Sequence, residues 1–203
     1  MASQGVDRRR LPAFEFGSAW RLGLLGLLSG LMVWVVISFV WEPFIGLDRQ
    51  FFVAGWELAL THLTIVPGLL FGMIIALFLS RRGLAGTAQV LGYVAAAAIS
   101  NFIAANVAAN MVDAVDSAAL LGILAGFVGA TCLTAVSLLL FPFLRTALAA
   151  ALLIAAGTLL GSLLHVAIED DSAFGLGFII LYAGWQAGYA AALGAALPPR
   201  KSL

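Results

Sequence analysis

The sequence predicts an all-α protein, a polytopic membrane bundle of six transmembrane helices with both termini in the cytoplasm and short loops. Three observations carry this reading. The chain is 63% hydrophobic and only 10% charged, against about 25% charged in a soluble domain. Its apolar residues fall into six uncharged runs of roughly 20 residues, enough to cross a hydrocarbon core of about 30 Å at about 1.5 Å per residue. Counting six crossings places nine of the ten basic residues on one side.

In chain order, residues 1–21 form a polar cytoplasmic segment carrying Arg8, Arg9 and Arg10. The first apolar run, Leu22–Trp41, exceeds the roughly 7–15 residues of a cleavable signal core and is expected to be retained. The other runs are Leu58–Leu79, Leu84–Asn110, Ala118–Phe141, Ala147–Ile168 and Ala173–Leu197. Residues 22–197 are thus the transmembrane domain, and residues 198–203 a cytoplasmic tail. The separators are short and polar, except for the first connection from Glu42 to Glu57.

Positive residues are retained on the cytoplasmic side of bacterial-type membranes. With the N-terminus inside, that side holds Arg8, Arg9, Arg10, Arg21, Arg81, Arg82, Arg145, Arg200 and Lys201, leaving only Arg49 outside. Five or seven spans would scramble this order, so the count of six and the inner-membrane location are expected together. Trp41, Phe44, Phe51, Phe52 and Trp56 bracket the first outer connection, which is expected to lie along the interface as a short amphipathic segment.

Five runs carry glycines four residues apart: Gly26 and Gly30, Gly68 and Gly72, Gly122 and Gly126, Gly157 and Gly161, Gly184 and Gly188. Such pairs let helix backbones approach closely where lipid supplies no hydrophobic drive for association. Pro67 sits inside the second run, where it removes one helical hydrogen bond, frees the carbonyl of Leu63 and is expected to kink the helix.

Polar residues within spans are the candidates for function. His62, Asn106, Asn110 and His165 share a depth near the outer ends of three runs, beneath an acidic rim that includes Glu57, Asp113, Asp116, Glu169, Asp170 and Asp171. Asn106 and Asn110 are one turn apart, and Asp113 continues their face. If they converge, they make a polar, acidic mouth suited to a cation. A deeper set comprises Gln89, Tyr93, Ser100, Asn101, Thr131, Thr134 and Gln186. Asn101 and Gln186 are expected to face the bundle interior, because an amide in lipid is costly. Their use is either interhelical hydrogen bonding or a solute cavity.

Several chemistries are excluded or demoted. Zero net charge gives no field for nucleic acid. Nucleotide-binding loops, zinc-protease helix motifs and Gly-x-Ser-x-Gly elbows do not occur in the chain, so no enzyme activity is expected. Cys132 is one thiol in an apolar run and forms no intrachain disulfide or cysteine metal cluster. No cofactor is expected, apart from a haem b held by His62 and His165 as axial ligands. The plan of six short helices with both ends inside resembles, in size and topology alone, small vitamin-binding subunits of transporters driven by partner ATPases. The alanine-based helix motif associated with those subunits does not occur in the first run.

Two function classes follow. The chain handles a small solute or ion between its helices, or it is a non-catalytic accessory or anchoring subunit of a larger membrane complex. Expected partners are the lipid bilayer and a membrane protein or a second copy.

Overall fold

The computed structural model describes residues 15–41, 48–170 and 175–199. Arg8–Arg10, Glu42, Phe44, Asp171, Arg200 and Lys201 lie outside the described residues. The elements are α1 (Phe16–Val35), continued by a π-helical segment Val36–Trp41; β1 (Arg49–Val53); β2 (Trp56–Leu60); α2 (His62–Arg81); α3 (Thr87–Met111); α4 (Ala118–Leu140); α5 (Ala147–Gly161); α6 (Leu164–Glu169); and α7 (Leu176–Ala195). With α5 and α6 taken as one span, six helical stretches among the described residues are long and apolar enough to cross a membrane. This is the build of a multi-pass membrane protein. Leucines such as Leu28, Leu91, Leu139 and Leu159 point outward, while Ser29, Ser100, Thr134, Ser137 and Gln186 are buried. Apolar outside and polar inside is the arrangement a lipid solvent selects.

The structure differs from the sequence expectation at two places. The first connection contains an antiparallel β-hairpin, so the fold is not purely α. Leu58–Leu60 belong to β2, not to the second helix. The cause is local. Phe, Val and Trp favour extended backbone, and Ala54 and Gly55 both take positive φ, 51° and 85°, as a two-residue hairpin turn requires. The fifth span is also interrupted at Ser162 and Leu163. There the backbone tightens to i→i−3 bonds, Ser162 N to Leu159 O at 3.2 Å and Leu163 N to Leu160 O at 3.1 Å.

The helices form a closed ring. Each spanning helix packs on the next in sequence, α5 packs on α7, and α7 returns to pack on α1. Short connections make neighbours antiparallel, so an even number of helices closes the ring with the start of α1 and the end of α7 at one end of the bundle, where Glu15 N donates to Ala195 O at 3.4 Å. Arg82 holds that end together. Its guanidinium pairs with Glu15 at 3.5 Å, donates to Ser18 Oγ and reaches Pro198 O at 3.4 Å. It thereby joins the start of α1, the end of α2 and the segment after α7. Arg145 donates to Leu138 O at 2.8 Å and Leu139 O at 2.9 Å, while Gln89 donates to Leu140 O at 2.6 Å. The last carbonyls of α4, left without helical partners, are thus satisfied by two side chains.

The glycine pairs make the close crossings. A Cβ at Gly26 or Gly30 would strike the backbone of Gln186 or Ala183 on α7, and one at Gly68 would strike that of Ala97 on α3. Gly122 and Gly126 face Gly161 and Gly157 across the α4–α5 contact. Gly184 and Gly188 differ, because they meet only the ends of the Leu163 and Leu160 side chains. Gly126→Leu should therefore lower Tm in detergent by about 5–10 °C, from an overpacking cost of about 2–3 kcal/mol. Gly92→Ala, whose Cβ would meet only the Leu140 methyls at 3.4 Å and 3.5 Å, should leave Tm within about 1–2 °C. Equal Tm for Gly126→Leu and the wild type would mean that the α4–α5 crossing is wrong.

Candidate functional site

Asn106 and Asn110 lie against β2. They hold the hairpin. Asn106 accepts from Ala59 N at 2.6 Å and donates to Ala59 O at 3.3 Å; Asn110 accepts from Glu57 N at 2.9 Å and donates to Glu57 O at 2.7 Å. Each amide copies the donor–acceptor pair of a neighbouring strand. The match is geometric. Four residues of helix rise about 6 Å, and two residues of strand about 6.7 Å, so asparagines one turn apart meet alternate residues of β2. The pairing closes the edge of β2 that β1 leaves open.

The remaining outer residues separate. His62 pairs through Nδ1 with Asp48 at 3.3 Å, and Asp48 also accepts from His62 N at the start of α2. His165 makes a 2.6 Å contact from Nδ1 to Ser162 O on its own span. Asp170 accepts from Gly177 N at 2.8 Å, capping the start of α7. Asp113 is exposed in the turn after α3. Carboxylates at helix starts match the positive end of the helix dipole, which accounts for Asp170 of the acidic rim and for Asp48 at the start of α2. Among the described residues no group of three or more His, Cys, Asp or Glu could hold a metal ion. The haem expectation gains no support from contacts of His62 or His165.

Asn101 and Gln186, by contrast, meet around one feature. Pro67 cannot bond to Leu63 O, and that carbonyl accepts instead from Tyr182 Oη on α7 at 3.3 Å and from Asn101 Nδ2 on α3 at 3.4 Å. Asn101 also donates to Thr64 O at 2.8 Å, and Gln186 Nε2 donates to Pro67 O at 3.1 Å. Amides on α3 and α7 thus converge on the proline turn of α2. Helix α2 is continuous through Pro67. The sequence reading does not include Tyr182, although its four-residue spacing from Gln186 puts both on one face.

These groups border a cavity of about 380 Å³ in the centre of the ring. It runs from Thr61, Ala108 and Ala109 at the hairpin end down to Phe71, Leu133 and Gln186. Alanine and glycine from α3, α4 and α5 make much of its wall, facing Phe178, Leu181, Tyr182 and Trp185 of α7. Below it the ring is filled. Phe71 packs edge-on to Tyr189 at 6.0 Å and to Trp185 at 6.1 Å, Trp185 stacks on Tyr189 at 5.2 Å, and Tyr93 packs on Phe141 at 5.6 Å. Tyr189 Oη shares a hydrogen with Thr134 Oγ1 at 3.0 Å. The cavity therefore has a closed floor toward the arginine end. Among the described residues, none that lines it is charged.

Comparison of the chain with protein-family models, with curated proteins and with solved structures finds no match. The site therefore rests on its own geometry.

The asparagine clamp gives a direct test. Replacing both Asn106 and Asn110 by Leu should raise the hydrogen-exchange rates of the Glu57 and Ala59 amides by at least about tenfold, the equivalent of about 1.4 kcal/mol of lost protection. The α2 amides should be unchanged. Unaltered exchange at Glu57 and Ala59 would show that the clamp does not hold β2.

Proposed function

We propose that this chain is a non-catalytic inner-membrane protein that binds a small neutral solute between its helices, in the cavity at the hairpin end. The cavity itself carries the reading. Its volume lies within the roughly 300–1,000 Å³ range of small-molecule sites, and its lining, apolar with a few fixed polar groups, is of the usual kind. The uncharged walls set aside the ion that an acidic mouth would have suited. An ion moved into an apolar wall without a charged partner pays a large desolvation cost.

In the proposed orientation the arginine end faces the cytoplasm, with Arg21, Arg81, Arg82 and Arg145 at that end, and the cavity faces outward. Cysteines at Ser117 and Asp48, in a Cys132→Ser background, should react with an impermeant thiol reagent from outside, and one at Gly83 should not. Labelling at Gly83 alone would invert the orientation.

Occupancy is tested by filling the cavity. Native mass spectrometry of the purified protein should show a retained small molecule, and Ala105→Phe should abolish it without lowering Tm by more than about 3 °C. An unchanged adduct would place the molecule elsewhere. A second reading, an accessory subunit, is favoured by the exposed aromatic hairpin, where Phe52 is 79% exposed. A second protein retained in stoichiometric amount through purification, with no small molecule, would select it.

A further inference from the structure

We infer that the occupant of the cavity is an apolar molecule bearing one neutral hydrogen-bond donor, a hydroxyl or N–H, which it presents to Gln186 Oε1. The inference rests on the binding reading above and specifies what the site selects.

Beside the hydroxyls of Thr61, Thr64 and Ser100, the cavity is bordered by four N–H or phenol donors: Asn101 Nδ2, Tyr182 Oη, Trp185 Nε1 and Gln186 Nε2. Each is committed to a backbone carbonyl. Asn101 serves Thr64 and Leu63, Tyr182 serves Leu63, Trp185 serves Gly157 at 2.9 Å, and Gln186 serves Pro67. A carbonyl only accepts, so the Gln186 amide must turn its nitrogen to Pro67 O. Its Oε1 is then fixed as the remaining group, and this oxygen is buried without a hydrogen-bond partner. Gln186 is 2% exposed. A buried unsatisfied amide oxygen is costly, and a ligand donor removes that cost.

The selectivity has a sign. A ligand ketone, ester or quinone carbonyl would bring a second acceptor against Oε1 and leave both without a donor. An alcohol or amide N–H completes the bond. A charged ammonium would also donate, but the uncharged lining offers it no counter-charge. The rest of the ligand is apolar, because alanine, glycine, leucine and aromatic side chains make most of the lining. The floor of Phe71 and Leu133 places the donor end deep and the apolar body toward the hairpin.

The test is competition between probes of matched length. Protein in lipid nanodiscs is equilibrated with equal amounts of perdeuterated 1-dodecanol and 2-dodecanone, and the adducts are resolved by native mass spectrometry. The alcohol should exceed the ketone about tenfold on wild-type protein, the scale of one buried hydrogen bond. In Gln186→Leu, total binding should persist and the preference should fall to within about twofold. Gln186→Met, unbranched and of similar length, gives the same reading should the leucine variant not fold. Equal occupancy on wild-type protein, or a preference that survives both substitutions, overturns the donor inference and leaves the cavity reading standing. Absence of either adduct from wild-type protein, with no retained molecule for Ala105→Phe to displace, overturns the cavity reading and this inference with it.

Discussion

Backbone satisfaction in a medium without water is the constraint on which this structure depends. In hydrocarbon an unpaired N–H or C=O costs several kcal/mol, so each must find a partner within the protein. At three places backbone groups left over by the regular elements are paired by polar side chains from another element. Pro67 frees Leu63 O, and Tyr182 and Asn101 take it. The end of α4 leaves three carbonyls, and Arg145 and Gln89 take them. The hairpin leaves one edge of β2 open, and Asn106 and Asn110 close it. The buried amides of the spans are accounted for almost wholly by these repairs.

This explains which parts were legible in the sequence. Six spans could be counted because length and hydropathy are set by the bilayer and need no knowledge of neighbours. The freed Leu63 carbonyl was legible too, since proline chemistry is local. The glycine pairs marked faces of close approach, though not that Gly184 and Gly188 would meet leucine side chains instead of backbone. The hairpin was missed because Leu58–Leu60 run without a break into the apolar helix that follows. Hydropathy does not distinguish strand from helix when both are apolar, and the turn residues Ala54 and Gly55 lack the usual asparagine or aspartate signal.

The candidate site divided along the same line. Shared depth grouped His62, Asn106, Asn110 and His165, but depth is one coordinate of three. Which helix faces which is decided by the ring closure, and that is fixed by contacts between α1 and α7 at opposite ends of the chain. Asn101 and Gln186 came together because both answer to the same proline turn. The rule that an amide in lipid turns inward was sufficient for them, and it needed no partner to be known.

The ring itself explains why a cavity exists at all. Six helices packed mainly on their ring neighbours enclose a centre that side chains must fill. Near the arginine end Phe71, Tyr93, Phe141 and Tyr189 are large enough, and they are fully buried there. Toward the hairpin the inward positions are Ala97, Ala104, Ala105, Gly126 and Gly129. The small residues that allow α4 and α5 to cross closely are the ones that leave the centre unfilled. Close packing between neighbours and empty space at the axis therefore follow from one choice of side chain. A soluble protein would close such a space by collapse under the hydrophobic effect. Here lipid surrounds the ring with apolar solvent, that drive is lost, and the glycine contacts hold the helices at fixed spacing. The cavity is stable for the same reason that the ring is closed.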